Sequence, residues 1–125
     1  MTTKMDNQQK FLINCSYGEK DLERATVSFV LALSAASHNA ETAVFATSDA
    51  ADLCVKGGTD NLMASGYEPL SGLVDDFIDN GGMIWLCPVC AKAKGIRDED
   101  LRPGVEIAGA PRTMEFMASG AQLLA

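Results

Sequence analysis

Histidine is nearly absent from this 125-residue chain; there is one, His38. Cysteine occurs four times, proline four times and tryptophan once. No apolar run approaches the roughly 18 residues of a membrane span. Lys and Arg number 10 against 17 Asp and Glu, a formal net charge of −7. Each shortage excludes something. With no Ser or Asp pattern near it, His38 cannot be assigned to a triad and reads as an exposed helix-end residue. Four unevenly placed cysteines are too few for a secreted disulfide framework. The acidic excess argues against a broad basic face for nucleic acid. Residues 1–10 are polar, with none of the apolar core of a signal peptide. The expectation is a cytoplasmic protein with no membrane span and no nucleic-acid partner.

Apolar residues make up 47% of the chain. That composition is globular, and at this length about 65% of the unfolded surface can be buried without a staple. The reading is a loosely held tail over residues 1–9 and a single domain over 10–125. Residues 11–15 form a short apolar run with little alternation, which predicts a strand buried on both faces. Asp21 is placed to cap a helix over 22–37, on which Val27, Val30, Leu31 and Ser34 share one face and alanines flank it. The alanines suggest close packing on a sheet. A second strand is expected at 42–47. Ser48-Asp49 then offers a cap for a short helix ending at Leu53 or Cys54. Residues 56–69 read as a long loop with one helical turn at 61–64, the kind of segment that is functional or meets a partner subunit.

A helix over 71–80, stopped by Gly81-Gly82, leads into a strand at 83–86. Cys87 closes that strand, and Pro88 opens a short helix to residue 94. Another turn is expected at 98–101, a strand at 104–108, and a C-terminal helix over 110–124. A fifth strand at 67–70 is weakened by Pro69. This alternation predicts an α/β fold: a mostly parallel, about five-stranded sheet with helices on both faces. Ligands of such sheets meet the carboxyl ends of the strands. Cys15, Ser48 and Cys87 all fall there.

The stretch WLCPVCAKAKGI carries Cys87 and Cys90 in C-x-x-C spacing. A zinc site needs four ligands, and no second pair or histidine completes this one, so no metal is expected in one chain. A dithiol switch needs the motif at a helix start, where amide N–H groups favour thiolate, and CPVC meets that local condition. A persulfide carrier needs one exposed, low-pKa thiolate with cationic help, which Lys92, Lys94 and Arg97 could give Cys87. Cys90 could then resolve an oxidised or persulfidated Cys87, or pack as a small hydrophobe. The bland reading of the pair is two inert core cysteines. Cys15 and Cys54 read as structural, and the charge cluster as a solvated helix end.

Several residues in order resemble the DsrE/DsrF-like family. They are Glu23-Arg24-Ala25 at a helix start, Ser48-Asp49 after a strand, Cys87 followed by Gly95-Ile96, then Asp100-Leu101 and Gly104-Val105-Glu106-Ile107. The resemblance covers nearly the whole chain from Phe11. It implies a flavodoxin-like three-layer sandwich and assembly into homotrimers or homohexamers. It also implies a sulfur-relay role in which a cysteine after the late strand, here Cys87, accepts sulfane sulfur and passes it to a partner protein. No cofactor is implied. Three readings stay open: a sulfurtransferase-like sulfur carrier, a thiol–disulfide protein using Cys87 and Cys90, and a non-catalytic oligomer that binds a small ligand.

Overall fold

The structure is a computed structural model that describes residues 9–124, so the expected tail lies outside the described residues except for Gln9. Five strands form one sheet: β1 (Lys10–Cys15), β2 (Glu41–Ala46), β3 (Met83–Leu86), β4 (Val105–Ile107) and β5 (Gln122–Leu124). Their spatial order is β4-β3-β2-β1-β5, and every neighbouring pair is parallel. The helices are α1 (Leu22–Ser37), α2 (Leu70–Asp79), α3 (Pro88–Ala93) and α4 (Ala110–Ala118). A 3-10 segment, Ser48–Cys54, follows β2. Among the described residues no helix is long and apolar enough to cross a membrane.

The winding explains the layers. From β1 to β4 the chain steps one strand at a time in one direction, and right-handed crossovers put the intervening helices on one face. The step from β4 back to β5 reverses direction and puts α4 on the other face. The first face holds the larger core, with Ile13, Val44, Ile84 and Leu86 of the sheet under Phe29 of α1 and Phe77 of α2. Those two rings meet edge to face, 6.1 Å apart at 73°. Phe77 is completely buried, and removing its ring would cost about 3–5 kcal/mol. Among the described residues the second face is covered by α4, where Phe116 packs edge-on against Trp85 at 5.4 Å over Leu12, Ala43 and Ala108. The result is a flavodoxin-like three-layer α/β sandwich.

Two expectations are corrected. The first concerns α1. Asp21 caps it, its carboxylate accepting from the Arg24 amide at 3.4 Å. The side turned inward, however, carries Ala25, Thr26, Phe29, Ala32 and Ala36, while Val27, Val30 and Leu31 stay 36%, 39% and 41% exposed. Small residues win the inner face because α1 lies close on β1 and β2 while Phe29 meets Phe77 of α2. Thr26 and Ser28 are tolerated there because their hydroxyls donate to the carbonyls of Leu22 and Arg24, at 2.7 and 3.0 Å.

The second correction is the C-terminus. The expected helix to residue 124 stops at Ala118, and Gly120, at φ +112°, turns the chain. Residues 122–124 then pair with Phe11–Ile13 as β5. The fifth strand is therefore here and not at 67–70. Pro69 instead precedes α2, whose first residue is Leu70.

Candidate functional site

The parallel register brings the cysteine-bearing strand ends together. Cys15 and Leu86 both stand level with Ala46 of β2. Cys87 lies one step further along. Its amide donates to the Ala46 carbonyl at 3.0 Å, and the Thr47 amide donates to the Cys15 carbonyl at 3.0 Å. Ladder bonds thus fix the backbone of Cys87 up to the point where the chain leaves the sheet. Pro88 then supplies the fixed φ that starts α3. The first helical bond runs from the Ala91 amide to the Cys87 carbonyl at 2.9 Å.

Cys87 and Cys90 are both partly exposed. No α3 amide makes a well-aligned capping bond to the Cys87 side chain. The N–H and S–H donors of Cys90 and the N–H of Val89 nevertheless lie near enough to favour its charged form. Partial burial works to raise the Cys87 thiol. These donors outweigh it and hold the thiol below its ordinary value. The expected cationic help has largely gone elsewhere. Lys94 Nζ pairs with Asp52 Oδ2 at 3.2 Å, and Arg97 with Glu99 Oε2 at 3.0 Å. Lys92 is exposed in the last turn of α3.

The other two cysteines are of a different kind. Cys15 is fully buried in the α1–α2 core, and burial pushes its thiol up. Cys54 is 2% exposed, and burial, with Cys15 close by, pushes it up to about 12. Both are core residues, as expected. His38 is exposed at the end of α1, its Nδ1 2.7 Å from the Ser34 carbonyl.

Ser48 is the residue whose role the sequence left incomplete. It is expected at the strand end as a helix cap; the structure makes it the first residue of the 3-10 segment, with Thr47 at the N-cap and no side-chain capping bond there. Its backbone does more. Ser48 has φ +52°, in the left-handed region, and its amide donates to Cys90 Sγ at 3.2 Å. The adjacent Asp49 is held from behind by Gly18, where an added Cβ would fall 2.3 Å from the Asp49 carbonyl oxygen. No sequence signal marks a serine for positive φ. A glycine at position 18, in the loop after the first strand, was the available hint of close backbone approach.

The site therefore consists of a partly exposed, acidified thiol at a strand end, a second thiol beside it, and a backbone amide trained on the second. Such a group can hold a thiolate, accept an electrophilic sulfur, or close to a disulfide.

The chain is 33% identical over 116 residues to the uncharacterized protein MJ0760 of Methanocaldococcus jannaschii, a match covering 93% of this chain. It spans only 41% of that relative's length. It is 32% identical over 92 residues to the uncharacterized protein MK0008 of Methanopyrus kandleri, covering 74% of this chain and 70% of the other. In structure it is similar to the ychN protein of E. coli, with a TM-score of 0.76 at 19% identity over 94% of this chain and all of that one. MTH1491 of Methanobacterium thermoautotrophicum matches with a TM-score of 0.67 at 18% identity, over 94% of this chain and 98% of that one. At those identities the likeness speaks for the fold. The model of the DsrE/DsrF-like family matches residues 9–125, and the chain belongs to the DsrE/DsrF-like family.

Proposed function

We propose that the protein is a cytoplasmic, sulfurtransferase-like sulfur carrier that accepts a sulfane sulfur on Cys87 and hands it to a partner thiol. The observation that carries this reading is the Cys87 environment: a partly exposed sulfur at the carboxyl edge of a parallel sheet, with donors from Cys90 and Val89 favouring its charged form. A thiolate attacks the terminal sulfur of a polysulfide or of a donor persulfide; the bond joining that sulfur to its neighbour breaks, the shortened polysulfide or donor thiolate leaves with the electron pair, and the same donors then face the charged product. Membership in a family generally linked to sulfur relay supports the assignment. The test is intact mass after exposure to inorganic polysulfide, or to thiosulfate with a rhodanese. The expected result is the gain of one sulfur atom on Cys87, lost on reduction. An unchanged mass, or a gain that persists in Cys87→Ser, overturns the reading.

The same two thiols support a second reading as a thiol–disulfide pair, because the Cys90 S–H lies near enough to favour the charged form of Cys87. Here mild peroxide alone would oxidise the pair, and both cysteines would be required. Self-assembly into a homotrimer or homohexamer belongs to the same proposal. It is supported by the Val27, Val30 and Leu31 ridge of α1, which is flanked by cavities of about 430 and 380 Å³. Light scattering should give a multiple of the 13.3 kDa chain mass, and Leu31→Glu should lower it. A monomer at micromolar concentration rules assembly out.

A further inference from the structure

Cys90 is oriented from two sides. Its sulfur accepts the Ser48 amide at 3.2 Å, and it sits in the first turn of α3, the helix that starts from Cys87. Ser48, whose amide makes this contact, takes φ +52°, a conformation that a non-glycine residue adopts at some cost. Two contacts keep it there. Gly18 lies against the Asp49 carbonyl so closely that no side chain fits. Lys94, one turn beyond Cys90, is bound to Asp52 in the same 3-10 segment at 3.2 Å. The Ser48–Cys54 segment thus touches α3 within its first turn, at Cys90, and at its end, at Lys94. Strain held by tight packing and aimed at a sulfur is more than a turn needs.

We propose that the main-chain amide of Ser48 is a positioning group that holds Cys90 ready to discharge a persulfide formed on Cys87. The inference rests on the carrier reading above. In the step, Cys90 Sγ attacks Cys87 Sγ, and a Cys87–Cys90 disulfide bond forms. The bond from Cys87 Sγ to the outer sulfur breaks. The outer sulfur takes that electron pair and the proton given up by Cys90, and leaves as hydrogen sulfide. The sulfane sulfur is reduced and the two cysteines are oxidised, so the step balances without a cofactor. An external thiol or dithiol reductant then restores the pair. The Ser48 amide stays on the attacking sulfur while its proton departs. A persulfide not collected by a partner is therefore cleared by the carrier itself.

The experiment loads the full chain with inorganic polysulfide, removes the excess, and follows sulfide release alongside intact mass. Wild type should lose the added sulfur and two hydrogens together as sulfide appears. Cys90→Ser should trap the loaded form. Ser48→Gly and Ser48→Asn both accept positive φ and should discharge like wild type. Ser48→Val, β-branched and disfavouring that conformation, should load but discharge about tenfold more slowly, the factor set by one ordinary hydrogen bond. Ser48 is exposed, so the valine side chain has room and the change bears on the backbone. Gly18→Ala, which must push Asp49 aside, should slow discharge in the same way, and thermal melts check that each variant is folded. Rescue by Asn and Gly is what a role in folding alone would not produce. Discharge from Cys90→Ser at the wild-type rate, or from folded Ser48→Val and Gly18→Ala at that rate, overturns the proposal while leaving the carrier reading intact. Failure of wild type to gain sulfur on Cys87 overturns both.

Discussion

Cys15 and Cys87 end neighbouring strands on either side of β2, and one residue of register separates their fates. Cys15 stands level with Ala46 and Leu86, and all three side chains point into the core under α1 and α2. Cys87 stands one step beyond Leu86. Since side chains alternate along a strand, that step turns it off the core side, and Pro88 starts a helix from it. One thiol becomes a small hydrophobe with its proton held by burial, and the other a partly exposed thiol whose charged form Cys90 and Val89 favour. Strand-end position alone therefore does not make a reactive cysteine. The face and the chain's next turn decide.

The sharpest way to break this comparison is to load both sites with sulfur. Cys87→Ser should lose all loading, as read by intact mass. Cys15→Ser should load fully and show its defect in stability, about 1–2 kcal/mol for a hydroxyl set in an apolar site, as read by denaturant unfolding. Loading that depends on Cys15 would remove the distinction.

Alkaline stability comes next. Cys54 keeps its proton in the folded state up to about 12, whereas 9.0 is its reference value. Between these values the unfolded chain has lost a proton that the folded chain retains. Stability from this group is therefore present in full below about pH 9 and is lost as pH rises toward 12, by up to about 1.4 kcal/mol per pH unit. Cys54→Ala should flatten that slope, whatever it does to stability at neutral pH. Equal slopes in wild type and variant would contradict the assignment.

How much of this was legible beforehand depends on whether local or tertiary rules set each feature. The strand Met83–Leu86 and the helix Leu22–Ser37 stand where their apolar runs and cap placed them. The facing of α1 was half legible. Its alanines suggested close packing on a sheet, and they do face in, but Val27, Val30 and Leu31 make the better apolar stripe and stay partly exposed while Phe29 meets Phe77 of α2. The strand Gln122–Leu124 is too short to display a period, and it follows Ala110–Ala118 with only a Ser-Gly step to mark the break. The positions of Cys87 and Cys90 followed from strand, proline and spacing. The Ser48 amide did not, because neither a positive φ in a serine nor the close approach of Gly18 to Asp49 across the fold has a local signal.

Alkylation sharpens the comparison at the level of rate. Below the ordinary thiol range, a depressed Cys87 holds a larger thiolate fraction than the raised Cys15 and Cys54. Iodoacetamide should label Cys87 ahead of both, as read by peptide mass, and the gap should narrow in urea, where burial and donors are lost. First labelling at Cys15 would reverse the argument about register.

The smallest effect should come from the charges that look most persuasive in sequence. Lys92, Lys94 and Arg97 cluster just after Cys87, yet the causes that lower its thiol are donors of Cys90 and Val89. Lys94 is bound to Asp52 and Arg97 to Glu99, so two of the three charges are already matched by carboxylates. Exposed pairs of this kind carry little net energy and are screened by salt. Lys92→Ala and Arg97→Ala should each change the Cys87 alkylation rate by no more than about twofold. Lys94→Ala has one further route, through its grip on the Ser48–Cys54 segment, and should disturb Cys90 more than Cys87. A large drop at Cys87 in Arg97→Ala, abolished by high salt, would restore the electrostatic account that the ion pairs displace.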